Sequence, residues 1–107
     1  MPESAFTAGT LRALMAPRPP VQITTHDEVG KAHTAPFAYV GVVAHDPPTI
    51  SVSVLRDHGK MKETARNALR TRRLIVDTDR GRMFCQLTRA IDVGDAVLLL
   101  ARVERVE

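Results

Sequence analysis

The chain has 107 residues, of which 44% are hydrophobic and 25% charged, with fifteen Lys and Arg against twelve Asp and Glu for a formal net charge of +3. This is the length and composition of one soluble globular domain, residues 1–107, with no internal repeat, low-complexity tract or linker to divide it. Three Phe, one Tyr and no Trp leave little aromatic surface for base stacking, which argues against nucleic acid, and no apolar run approaches the roughly 20 residues needed to span a bilayer.

The first element in chain order is a short helix over Thr7 to Ala16, with Leu11, Leu14 and Met15 on one side. Pro17, Pro19 and Pro20 end it, since proline breaks the helical hydrogen-bond ladder. Val21 to His26 is rich in β-branched residues and reads as a strand, followed by a turn at Asp27-Glu28-Val29-Gly30. Lys31 to Val43 reads as one further strand, with Pro36 marking a bulge or an edge position. His45-Asp46-Pro47-Pro48 is a rigid connection. Thr49 to Leu55 alternates cleanly, Ile50, Val52 and Val54 facing one way and Ser51 and Ser53 the other.

A polar loop, Arg56 to Lys60, leads to a helix over Lys62 to Arg72 with Ala65, Ala68 and Leu69 as its apolar stripe. Strands follow at Arg73 to Thr78, Met83 to Arg89 and Ala96 to Val106, separated by turns at Asp79 to Arg82 and Asp92 to Asp95. Six strands with a single helix between the third and fourth predict a mainly β fold, a small antiparallel barrel with one or two short helices. A parallel sheet would need a helix after nearly every strand.

The chemistry-bearing residues concentrate in three places. Lys62 and Thr64 stand where a polar loop enters a helix, and the unpaired N–H groups and positive dipole end there suit a phosphate. Arg56 and Lys60 precede them and add charge; on spacing alone, a capping Thr64 with solvated lysines is the favoured reading. Ser51 and Ser53 alternate with apolar residues and face either a polar ligand or water. In Ala35-Pro36-Phe37-Ala38-Tyr39, the proline removes one ladder donor and frees its neighbours to meet the edge of a flat ring, while Phe37 and Tyr39 are placed either to stack on such a ring or to join the core.

The basic run from Arg66 to Arg73 is read as a solvated helix face before a phosphate site. His26, His33, His45 and His58 do not cluster, so no metal is expected. A lone Cys85 in mid-strand allows no intramolecular disulfide and reads as a small buried hydrophobe, which with the absence of signal-peptide features makes the cytoplasm the expected location.

Taken in order, these pieces resemble the flavin reductase-like family of FMN-binding split barrels. The matching residues are Arg18-Pro19, Thr24-Thr25, Asp27 with Gly30, Ala35-Pro36-Phe37, Asp46-Pro47-Pro48, the strand Thr49 to Leu55, and Lys62-Glu63-Thr64 with Arg66-Asn67. The resemblance covers residues 17 to 78. It implies that Arg56, Lys62 and Thr64 hold the phosphate of FMN, and that Ala35, Pro36, Phe37, Ala38 and Tyr39 with Ser53 line the isoalloxazine and ribityl chain. It also implies a homodimer with NAD(P)H as candidate electron donor. The sequence departs from the family where an Asn and a Ser are replaced by His33 and Ala38, and where a four-residue turn at Asp79 to Arg82 stands in place of some tens of residues.

Four readings follow: an oxidoreductase passing electrons between reduced nicotinamide and flavin, a non-catalytic module that binds FMN or another phosphate-bearing ligand, a pyridoxamine-phosphate-oxidase-like split barrel, and a structural or interaction protein with a degenerate site. The Asp-Pro-Pro and Lys-Glu-Thr segments favour the flavin reductase-like branch over the pyridoxamine-phosphate-oxidase-like one. Whether the chain turns over is left open by the residues themselves.

Overall fold

A computed structural model describes residues 8–15 and 19–107. Two helices and seven strands follow one another as α1 (Ala8–Met15), β1 (Val21–His26), β2 (Ala32–Phe37), β3 (Val40–His45), β4 (Pro48–Leu55), α2 (Glu63–Thr71), β5 (Arg73–Thr78), β6 (Gly81–Val93) and β7 (Ala96–Val106). Every strand pairing is antiparallel, in the order β2-β1-β5-β6-β7-β4-β3. The mainly β, antiparallel architecture expected from the alternation is present.

Closure into a barrel follows from that order. β2 and β3 are the two ends of the sheet, yet only Ala38 and Tyr39 separate them in the chain. Three Cα–Cα steps reach at most about 11 Å, whereas six strand spacings laid flat would measure about 29 Å. The sheet must therefore curl until its ends meet. There the Ser53 amide of β4 donates to the Tyr39 carbonyl at 2.9 Å.

Two sequence expectations are corrected here. Lys31 to Val43 is two strands, not one, because the chain leaves one sheet end after Phe37 and joins the other at Val40. The strand expected over Met83 to Arg89 extends over Gly81–Val93, since β6 pairs with β5 along its first half and with β7 along its length. Pro36 sits in β2, an end strand, where proline is tolerated. Of the expected first helix, Thr7 and Ala16 lie outside the described residues, as does Arg18. Leu11, Leu14 and Met15 are 50%, 69% and 77% exposed, so α1 does not bury its apolar side on the barrel.

The barrel interior takes one face of each inner strand. Ile23, Val52, Val54, Leu74, Val76, Leu87, Val97, Leu99 and Ala101 are almost wholly buried. Cys85 joins them, and burial pushes its thiol up to about 11, which keeps it a protonated, unreactive hydrophobe at neutral pH. On the opposite face of β6, Phe84 carries the Arg105 guanidinium 4.1 Å from its ring centre.

Helix α2 lies on the barrel through Ala65 and Ala68, both fully buried, with Leu69 packed against the same core. Their small side chains let the helix approach closely enough to bury two polar residues as well. One is Asn67, whose Nδ2 donates to the buried Thr25 hydroxyl at 3.2 Å, and the other is Thr64. The helix stops at Arg72, which turns left-handed with φ 63° and donates its N–H back to the Ala68 carbonyl.

Gly81 opens β6 with φ +153°, and a Cβ there would meet the Glu107 carbonyl oxygen at 2.8 Å. That carbonyl accepts the Arg82 amide at 3.0 Å, so it cannot retreat without breaking a backbone bond. Gly81→Ala is expected to lower stability by about 1–3 kcal/mol. Gly41→Ala, where nothing lies within 4 Å and φ is not positive, should be close to neutral. Urea unfolding of the two variants checks this; equal midpoints would contradict it.

Candidate functional site

The site begins at the closure of the barrel. The Ala38–Tyr39 link passes over the end of β4, which presents Ser53 and Leu55 beside it. Pro36, Phe37, Ala38, Tyr39, Ser53 and Leu55 wall a pocket of about 180 Å³, and Arg12 and Lys62 supply its charged side chains. Arg12 reaches it from α1, where its Nε donates to the Tyr39 hydroxyl at 3.2 Å. That bond raises the Arg12 guanidinium further above its ordinary value, so its charge persists at any working pH. Lys62 reaches it from the residue just before α2, extended with φ −69° and ψ 158°.

The balance of charge distinguishes this pocket: two cations, the half-buried Ser53 and Tyr39 with their hydroxyls, an apolar wall and no carboxylate. Two wider clefts are mixed in sign. One, of about 430 Å³, shares Lys62 with the pocket and adds Lys60 and Arg66, but also Asp57 and Glu63. His33 borders it, with Nδ1 3.7 Å from the Glu63 carboxylate. The other, of about 410 Å³, lies between the Asp27–Gly30 turn and α2, where Arg66 and Arg70 face Asp27, Glu28 and Glu63. An amphipathic anion is therefore best matched by the first pocket. It is smaller than the roughly 300–1,000 Å³ usual for a small-molecule site, and it shares Lys62 with the 430 Å³ cleft.

Six of the nine residues singled out in the sequence, Pro36, Phe37, Ala38, Tyr39, Ser53 and Lys62, meet at this pocket. The other three do not line it. Ala35 stands one residue earlier, half-buried opposite Ile23. Arg56 points its guanidinium at Asp92, 2.6 Å away on the β6 end. Thr64 is only 1% exposed, in the first turn of α2 beneath the helix. Sequence reasoning missed Arg12 and Leu55. Leu55 ends a recognised strand and was within reach of the alternation argument. Arg12 had no local signal, because its partner lies 27 residues away.

This curled antiparallel sheet, with one helix laid against it, has the split-barrel fold of solved flavin reductases and of a flavin-binding protein. Across 99% of its length the chain superposes on nitrilotriacetate monooxygenase component B from Bacillus cereus with a TM-score of 0.83 and 25% identity, covering 79% of that chain. The styrene monooxygenase flavin reductase of Pseudomonas putida matches with a TM-score of 0.71 and 15% identity, over 83% of this chain and 78% of that one. An FMN-binding protein from Thermus thermophilus matches with a TM-score of 0.71 and 16% identity, over 83% and 70%.

In sequence, 66 residues are 41% identical to an uncharacterized protein of Bacillus subtilis, YwrF, covering 62% of this chain and 32% of that protein. A further 35% identity over 65 residues relates it to an uncharacterized protein of Aquifex aeolicus, covering 60% and 33%. The aligned part of the chain thus spans about a third of the length of these curated relatives. No family model matches. Among the described residues, no helix is long and apolar enough to cross a membrane.

Proposed function

We propose that this chain binds FMN in the pocket at the barrel closure and works as a flavin-dependent oxidoreductase of the flavin reductase type. The observation that supports it most is the convergence there of Pro36 to Tyr39, Ser53 and Lys62 in a lining with two cations and no carboxylate. Phe37 and Leu55 supply apolar surface for a flat ring, and the Ser53 hydroxyl a polar contact for its edge or for the ribityl chain. Lys62, common to the pocket and the adjoining cleft, is placed to hold the phosphate beside the first turn of α2. The phosphate reading rests on Lys62 rather than on Arg56, which is committed to Asp92, or Thr64, which is buried.

A bound flavin would accept hydride from reduced nicotinamide and pass electrons on; the protein's part is to orient the ring and hold its phosphate. Titration of the purified protein with FMN, followed by flavin fluorescence, tests binding. Saturable quenching at micromolar protein is expected, and an unchanged emission would sink the reading. NAD(P)H oxidation with FMN present then separates an enzyme from a carrier. A carrier is the second reading, favoured by the two-residue turn Asp79-Arg80 between β5 and β6, which leaves little chain to shape a substrate side.

We also propose a homodimer. Val42 and Val43 on β3, an end strand of the sheet, are 73% and 53% exposed, an apolar stretch that a second copy of the chain would cover. Light scattering should return twice the 11.8 kDa chain mass; a monomer across the micromolar range would count against it.

A further inference from the structure

We infer that α1 is a latch over the pocket, fastened by the hydrogen bond from Arg12 to the Tyr39 hydroxyl, and that a flavin leaves only when this bond opens. The inference rests on the flavin reading above but concerns a different element. Arg12 and Tyr39 both line the pocket, yet they come from separate parts of the chain and meet at 3.2 Å. Breaking their contact therefore opens the wall on that side. Apolar burial does little to hold α1 in place, because Leu11, Leu14 and Met15 are 50–77% exposed. Eight residues are also too few for a helix to persist undocked, since isolated helices shorter than about 12–15 residues are marginal in water. Docking and folding of α1 are thus coupled, and the exposed Arg12–Tyr39 hydrogen bond, which competes with water, contributes modestly to the closed state. A ligand that fits better beneath the docked helix shifts that balance towards closure.

The latch acts on any occupant of the pocket, whereas Lys62 acts on its phosphate, and this difference gives the test. Stopped-flow fluorescence measures dissociation of FMN and riboflavin from the parent protein, Arg12→Ala, Tyr39→Phe and Lys62→Ala. Arg12→Ala and Tyr39→Phe should each speed release of both flavins by about three- to tenfold, the loss of one ordinary hydrogen bond. The double variant should add nothing, because both changes remove the same bond. In a second readout without flavin, trypsin should cut after Arg12 faster in Tyr39→Phe than in the parent. Unchanged release rates in both variants, or acceleration confined to FMN, would overturn the latch; the latter result makes Arg12 a second phosphate contact. If the parent binds neither flavin, the flavin reading falls, and equal tryptic rates would then reject the latch independently.

Discussion

Lys62→Ala is expected to weaken FMN binding by about ten- to a hundredfold while leaving riboflavin nearly unaffected. The size follows from losing one charge-assisted hydrogen bond, worth roughly 1.5–3 kcal/mol, with tenfold in affinity per 1.4 kcal/mol. Lys62 is exposed and makes no side-chain cap to α2, so its removal leaves the helix and the core beneath it unchanged. Comparison of the two ligands removes any general effect on folding, because riboflavin differs from FMN in the phosphate alone. Equal losses for both flavins would show that Lys62 does not meet a phosphate. No change for either would return the loop to a solvated basic turn. Raising the salt concentration should shrink the difference between the ligands, as screening weakens an exposed cation for an anion.

The largest effect on stability is expected in the barrel interior. Leu99→Ala should lower the unfolding free energy by about 2–5 kcal/mol, the range for emptying a buried leucine site. Leu99 is fully buried on β7, opposite Val52 of β4 and Ala90 of β6, in the middle of the sheet order. Strands on both sides are hydrogen-bonded to β7, so the walls cannot close on the space left behind. Leu98 and Leu100 are the internal control: they flank Leu99, point to the other face and are half-buried. Their alanine variants should cost clearly less. Urea unfolding with an unchanged slope and a lower midpoint for Leu99→Ala is the expected result. Equal costs at positions 98, 99 and 100 would mean that this strand does not face a packed interior.

Together these two variants separate the parts of the molecule. Leu99→Ala should weaken FMN and riboflavin equally, through loss of folded protein, whereas Lys62→Ala should spare stability and discriminate between ligands.

Local pattern sufficed for the strands whose neighbours are their neighbours in sequence or whose alternation is strict. Val21 to His26, Arg73 to Thr78 and Ala96 to Val106 were legible to the residue, and Ile50, Val52 and Val54 faced inward as their spacing required. Period-two alternation reports burial directly, so no knowledge of the partner strand was needed. The place of Lys62 at the start of a helix was legible from the apolar stripe of Ala65, Ala68 and Leu69 that follows it, and the buried character of Cys85 from its position in a strand.

What local pattern could not reach were the consequences of closure. The break at Ala38–Tyr39 exists because the two ends of the sheet must meet, a constraint set by the order of all seven strands and invisible between Lys31 and Val43 alone. Likewise, Arg56 and Thr64 carried the right chemistry but were claimed elsewhere, one by Asp92 on a distant hairpin and the other by the helix–barrel contact. Arg12 entered the site from a helix with no sequence mark of function, through Tyr39, 27 residues away. A side chain's chemistry belongs to its residue and can be read in one dimension. Its partner is chosen by distance in the folded chain, and the tertiary structure alone sets that distance.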